Sequence, residues 1–226
     1  MAKLRSRMTL LGIHDQLTKF RFLEIESFIH HSREGMNAAW EEFSERFDKT
    51  TTGWDEAEVA EYVDYVYDDI AMLRDESPQL LRHAQCMIVY GTFEHAIVNL
   101  CRALHRDKKI ATPPKPKNMY MDDVKGYLRP HLGKRPRPDP FSKDWQFHEF
   151  RIIRNWMAHN GGRVQKDSNS NGNWKQANTF VRRNRGLIRF TERGDITVED
   201  ELIRRALEKA RDASDTLHKA ARRLYR

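Results

Sequence analysis

Residues 77–106 read SPQLLRHAQCMIVYGTFEHAIVNLCRALHR, and the spacing inside this stretch decides the fold. Leu81, Ala84, Ile88, Gly91, His95 and Val98 recur every three or four positions, which is the period of one face of an α-helix. Ser77 and Pro78 form an N-cap and first-turn pair that opens the helix, since proline at that point gives up an N–H that has no helical partner anyway. Pro113, Pro114 and Pro116 end the element, because a helix cannot continue through missing N–H donors. Gly91 permits a close neighbour on the stripe, so the segment is expected to be a central helix.

Upstream, Phe20, Phe22, Leu23, Ile25, Phe28 and Ile29, followed by Met36, Ala39, Trp40, Phe43 and Phe47, predict a long first helix or a broken pair. A turn falls at Thr50 to Gly53. Val59, Val63, Val66, Ile70 and Leu73 then alternate spacings of four and three, predicting an amphipathic helix from Asp55 to Arg74. Its other face is acidic, with no Lys or Arg between Lys49 and Arg74, and Tyr62, Tyr65 and Tyr67 on it are expected to pack. Downstream lie a shorter helix near Tyr120 to Leu128 and a basic, proline-rich connection, Arg129 to Pro140, read as non-helical. A helix from Ser142 to His159 follows, with Ser142 as N-cap and Gly161-Gly162 as its stop. Asp167 to Asn173 reads as a mobile loop, and Leu187 to Thr191 with Ile196 to Val198 as a hairpin. The last helix starts near Thr197, which with Asp200 approximates a capping box, and carries Val198, Leu202, Ala206, Ala210, Ala213, Leu217, Ala220 and Leu224 as one stripe. There is no internal repeat. The expected fold is all-α: one domain over residues 1–226, an up-and-down helical bundle, with a flexible loop and short β-hairpin inserted at 160–198 before the last helix.

A chain of 226 residues with 39% hydrophobic content can bury one substantial core. The net charge of +7 conceals an asymmetry. Residues 151–226 carry 18 Lys or Arg against 9 Asp or Glu, a balance of +9, which leaves −2 for the first 150. A cationic half attracts polyanions without reading their sequence. Cys86 and Cys101 fall on one helix, where fifteen residues of rise separate them by roughly 22 Å, beyond disulfide reach. A reducing cytoplasm is therefore the expected location. The short apolar run from Met8 to Ile13 passes into His14 and Asp15 without a small-residue cleavage site, and no segment reaches membrane-spanning length.

The chemistry concentrates in Arg154-Asn155-Trp156-Met157-Ala158-His159, followed by Asn160-Gly161-Gly162. A permanent cation, a non-titrating amide and a near-neutral proton carrier fall within one and a half helical turns. These groups suit cleavage of a phosphodiester by its own 2'-hydroxyl, which needs proton transfer and charge neutralisation but no metal, so RNA is the substrate that fits. An Arg, four to six residues and a His also occur at Arg7 to His14 and Arg211 to His218. Only Arg154 is followed by Asn, with its His at a helix end beside two glycines. Trp156 and Met157 continue the stripe of Ile152 and Ile153 and belong to the core.

The motif resembles that of the HEPN superfamily, whose ribonuclease members carry an Arg, a polar residue and, after a short gap, a His; the matching positions are Arg154, Asn155 and His159. Tyr90-Gly91-Thr92-Phe93-Glu94-His95 is similar to the acidic, aromatic-flanked stretch on an earlier core helix of such proteins. The resemblance implies a metal-independent endoribonuclease without cofactors, acting as a homodimer, often a toxin or anti-phage defence effector held by an antitoxin or sensor protein. Nucleotidyltransferase-paired members carry a Tyr two residues after the His; here that position is Gly161, so control through such a tyrosine is not expected.

Helix geometry also favours two copies. At 100° per residue, Asn155 and His159 lie about 40° apart, whereas Arg154 and His159 differ by about 140°. One helix alone converges poorly, but a two-fold axis can bring each Arg154 to the other copy's His159. His148 falls on the His159 stripe and is a candidate edge residue, and Glu94 is a candidate partner that directs Arg154. His83, Cys86, His95, Cys101 and His105 complete no close-spaced metal motif. Walker, dinucleotide and nucleophile-elbow patterns are absent. The alternative reading is a non-catalytic helical module that binds nucleic acid or protein through its basic half.

Overall fold

A computed structural model describes residues 10–108, 121–131, 147–159, 161–163 and 171–223. Its elements are helices α1 (Leu10–Thr51), α2 (Glu56–Tyr65) and α3 (Tyr67–Ala71), a π-turn at Met72–Glu76, and helices α4 (Ser77–Lys108), α5 (Met121–His131), α6 (Phe147–His159) and α7 (Asn171–Arg183). Strands β1 (Ile188–Phe190) and β2 (Ile196–Val198) then pair antiparallel, Ile188 opposite Val198, before helix α8 (Asp200–Arg222). The fold is an all-α bundle with one short hairpin before its last helix. No helix among the described residues is long and apolar enough to cross a membrane.

Helix α4 is central, packed against α1, α5, α6 and α8. Its buried face, however, runs through Cys86, Val89, Tyr90, Phe93, Ile97, Leu100 and Leu104, while Ile88 and His95 of the expected stripe are exposed. Because α4 is apolar on most of its circumference, periodicity identifies the helix but its neighbours choose the face. The α8 stripe from Leu202 to Ala220 is buried as its spacing predicts.

Polar pairs fix the directions of the helices. Asp107 accepts from the Leu11 N–H at 3.1 Å and Gln85 donates to Ser32 at 2.9 Å, so α1 and α4 run antiparallel. Arg211 bonds Glu26 at 2.8 Å, and His218 meets His14 at 2.9 Å, which sets α8 antiparallel to α1 as well. Phe150 packs on Tyr90, Arg154 reaches both Tyr90 and Glu94, and Gly162 just past the end of α6 meets His83 near the start of α4, so α6 runs opposite in sense to α4. Phe150 on Phe180 and Trp156 on Trp174 make α7 antiparallel to α6.

Several local expectations are corrected. The predicted Asp55–Arg74 helix breaks at Val66 (φ −101°, ψ 13°) and continues through the π-turn straight into α4. Ser77 is therefore helical (φ −62°, ψ −40°), not an N-cap. Pro78 withholds the N–H that Arg74's carbonyl would take, and the turn before it widens so that the Ser77 N–H bonds the Met72 carbonyl. Helix α5 extends over Arg129 and Pro130 to His131, because a proline in the last turn costs only one N–H. Helix α7 begins inside the expected loop, at Asn171, and continues over residues 174–183, for which no helix is expected: a stripe of Trp174, Ala177, Phe180 and Val181 packs into the core. Thr197 lies in β2, and α8 starts at Asp200 with Glu199 as an N-cap lacking a side-chain bond. Tyr65 and Tyr67, expected to pack, are 84% and 62% exposed. Ser142, Leu224, the 132–140 part of the proline-rich connection and residues 167–170 of the predicted loop lie outside the described residues.

Candidate functional site

Ile152, Ile153, Trp156 and Met157 are buried and hold α6 against the core. That anchoring turns Arg154 toward α4. Its Nη2 donates to Glu94 Oε2 at 3.0 Å and its Nη1 to Asn155 Oδ1 at 3.0 Å. The guanidinium carbon stands 4.7 Å from the centroid of the Tyr90 ring, a cation–π contact, and the buried Nε finds no acceptor among the described residues. Both residues of the ion pair are mostly shielded, with side chains 22% and 28% exposed, so the guanidinium direction is fixed.

His159, the last residue of α6, is exposed and makes no hydrogen bond or ion pair among the described residues. Arg154, Asn155 and Glu94 are thus gathered with Tyr90, and His159 stands apart on the solvent side of the same helix. Asn155 is engaged by Arg154 and not by His159. His148 is helical, and its side chain lies outside the described residues. Tyr90 is legible as the aromatic flank of the Glu94 stretch, but its position under the guanidinium depends on how α6 packs across α4.

The two glycines have a structural cause. Gly161 (φ 58°) and Gly162 (φ 79°) occupy the left-handed region. The Gly162 N–H reaches back to the Trp156 carbonyl at 3.3 Å, and its own carbonyl accepts from the Ile196 N–H at 2.8 Å. His83, from α4, donates through Nε2 to the Ile196 carbonyl at 2.8 Å and packs on Gly162, where a Cβ would lie 2.6 Å from its Cε1. Gln79, one turn earlier, clasps Val198 through both its amide atoms, at 3.0 and 3.3 Å. The hairpin is therefore locked to α4 directly behind the end of α6. Gly162→Ala is expected to lose about 2–3 kcal/mol of stability, from positive-φ strain plus the His83 clash, read as a lowered midpoint in urea denaturation. Gly161→Ala, with nothing among the described residues within 4 Å of the added carbon, should lose only the smaller backbone part.

The other two Arg…His matches resolve into structure: His14 and His218 lie together inside the bundle, and Arg211 is paired with Glu26. Arg7 lies outside the described residues. Cys86 and Cys101 are buried free thiols, each pushed up to about 12 by burial, which keeps them protonated and poor metal ligands. Among the described residues, one group of potential metal ligands converges: His30, His31 and Glu34, all exposed on α1, with ligand atoms within 4.8 Å of one another. Its i, i+1, i+4 spacing was readable in the sequence. Comparison of this chain with family models, characterised proteins and solved structures finds no match.

Proposed function

We propose that this chain is a metal-independent endoribonuclease whose cleft is completed by a second copy. The observation that carries this reading is the restrained guanidinium: Arg154, clamped at 3.0 Å by both Glu94 and Asn155, lies five residues before an exposed His159 that has no partner among the described residues. Each Nη retains a second N–H after these bonds, so a guanidinium held in one direction can still donate to a phosphate. His159 takes the proton of the 2'-hydroxyl; the 2'-oxygen attacks phosphorus; the bond to the 5'-oxygen breaks; and the second copy's His159 returns a proton to that oxygen. Arg154 neutralises the phosphorane. The products are a 2',3'-cyclic phosphate and a 5'-hydroxyl. The likeness of the motif to HEPN ribonucleases supports a cytoplasmic toxin or defence role with an antitoxin or sensor as regulator.

Self-association has a suitable surface. Besides the face it buries, α1 presents Leu10, Ile13, Leu17 and Phe20 to solvent at spacings of three, four and three, with Leu17 58% and Phe20 62% exposed. That is a continuous apolar stripe on one side of the helix, the kind of surface that protein interfaces bury at their centre. Leu17→Glu combined with Phe20→Glu is expected to yield a monomer in sedimentation velocity while leaving the fold intact, since both side chains are already solvated. A monomeric double variant that cleaves at the native rate would rule out the shared cleft.

The test of function is incubation of single-stranded RNA with the protein in excess chelator, followed by end-group analysis for cyclic phosphate. A second reading, binding without cleavage, is favoured by the same clamp, because both Nη groups of Arg154 already serve the fold. It predicts affinity that falls steeply with salt and intact RNA under all conditions.

A further inference from the structure

Trp54, Tyr62 and Tyr65 line one open cavity of about 340 Å³ together with Glu58 and Glu61. Tyr62 is held from behind by Phe47, stacked at 5.5 Å and 25°. Trp54 stands nearly perpendicular to Tyr62, at 5.5 Å and 75°, and Tyr65 flanks it at 6.3 Å and 21°. Trp54 and Tyr62 thus meet in a corner, and Tyr65 lies beside Tyr62 with its ring nearly parallel to it. The corner is rigidly mounted: the Trp54 N–H bonds the Thr51 carbonyl at 3.0 Å, and Asp55 caps α2 in a reciprocal box with Glu58. Glu58 is pinned by that box, at 3.0 Å from the Asp55 N–H, whereas Glu61 makes no hydrogen bond or ion pair among the described residues.

The geometry points to a binding site for an alkylammonium cation, seated in the Trp54–Tyr62–Tyr65 corner with Glu61 as its counter-charge. Aromatic faces attract cations that carry an apolar shell, and an arrangement of several rings around one space is the known means of holding quaternary and alkylated ammonium groups. The surroundings select charge sign. Seven carboxylates and no Lys or Arg occur between Lys49 and Arg74, so exposed rings that elsewhere stack on nucleobases here face a field that repels a phosphate backbone. The site is separate from the Arg154 cluster and does not depend on the nuclease reading. Such a cation comes either from a free quaternary amine or from a lysine side chain, plain or methylated, on another protein; the head-group chemistry is the same.

The full chain is titrated with choline and with 3,3-dimethyl-1-butanol, its uncharged carbon isostere, following the Trp54 indole and Tyr65 ring resonances by NMR. Trp54→Phe and Tyr65→Ala serve to assign the two signals. Choline is expected to shift both signals saturably in the millimolar range while the isostere does not, and Tyr65→Ala and Glu61→Gln should each weaken binding about two- to fivefold. Tyr65 is 84% exposed, so its removal cannot be confused with unfolding. Nα-acetyl-trimethyllysine amide and its unmethylated form distinguish the sources: tighter binding than choline assigns the site to a protein side chain, equal or weaker binding to a free amine. Absence of any shift, equal shifts by the isostere, or unchanged affinity in Tyr65→Ala would overturn the assignment.

Discussion

Alanine at position 159 is expected to leave the protein folded and to reduce RNA cleavage by about 10²–10⁴-fold, the usual contribution of a positioned proton-transfer group. Folding should survive because His159 is exposed, ends its helix and holds no partner among the described residues. The change lies in the chemical step, so single-turnover rate should fall while RNA affinity, governed by the basic half, stays within about twofold. Arg154→Ala is a poorer probe, since it strands the shielded Glu94 carboxylate and removes the Tyr90 contact, at a stability cost of about 1–3 kcal/mol. Arg154→Lys keeps the charge but not the fork and should lose most of the activity with less damage to the fold. Native-level cleavage by His159→Ala would remove the proposed mechanism, and with it the reason for requiring two copies.

The second large effect is loss of stability on mild acidification. His218 is buried, and its Nδ1–H donates to the Ser214 carbonyl at 2.8 Å, so its Nε2 must accept from His14 Nδ1 at 2.9 Å. The rings stack at 5.1 Å and both are neutral in this arrangement. Burial first, then His218 and His95, hold His14 down at about 4, against a smaller opposing pull from Asp15. Burial also lowers His218, which faces Asp15, Asp215 and Arg222, and lowers His83 beneath the hairpin. With folded pKa values below the ordinary 6.5, the unfolded chain binds more protons in the interval between. Stability from this cluster is complete above about pH 6.5 and is lost as pH falls toward 4, by on the order of 2–3 kcal/mol. Thermal unfolding at pH 7.5, 6, 5 and 4.5 should show Tm falling across that window. His14→Gln, which can still donate to His218, should flatten the decline. A Tm unchanged from pH 7.5 to 4.5 would show that the pair is not neutral in the folded chain.

How α1 and α8 are tied explains why that pair matters. Asp15 is buried between them, accepting from Lys19 at 3.1 Å and from Arg222, and the His14–His218 contact lies beside it. The sequence offered His14 and His218 only as further Arg…His matches; that they are one another's partners depends on two helices two hundred residues apart lying side by side.

Helical content, the α8 face, the hairpin and the burial of Trp156 and Met157 were all legible along the chain, because each depends on spacing within a few residues. The end of α6 at Gly161-Gly162 was legible for the same reason, since left-handed backbone selects glycine locally. Helix α7 was missed where polar residues at its start outweighed a short apolar stripe, and the N-cap at Ser77 was misplaced because Pro78 could be absorbed by a widened turn. At the candidate site, residue type suggests Glu94 as a partner for Arg154, whereas the Tyr90 contact, the capture of Asn155 and the outward direction of His159 are set by packing between helices. Periodicity gives each helix its possible faces, and that much belongs to the chain alone. Which face of α4 is buried, where Arg154 points and which rings meet at Trp54 were decided only by packing, because those outcomes depend on distances between segments that no local spacing encodes.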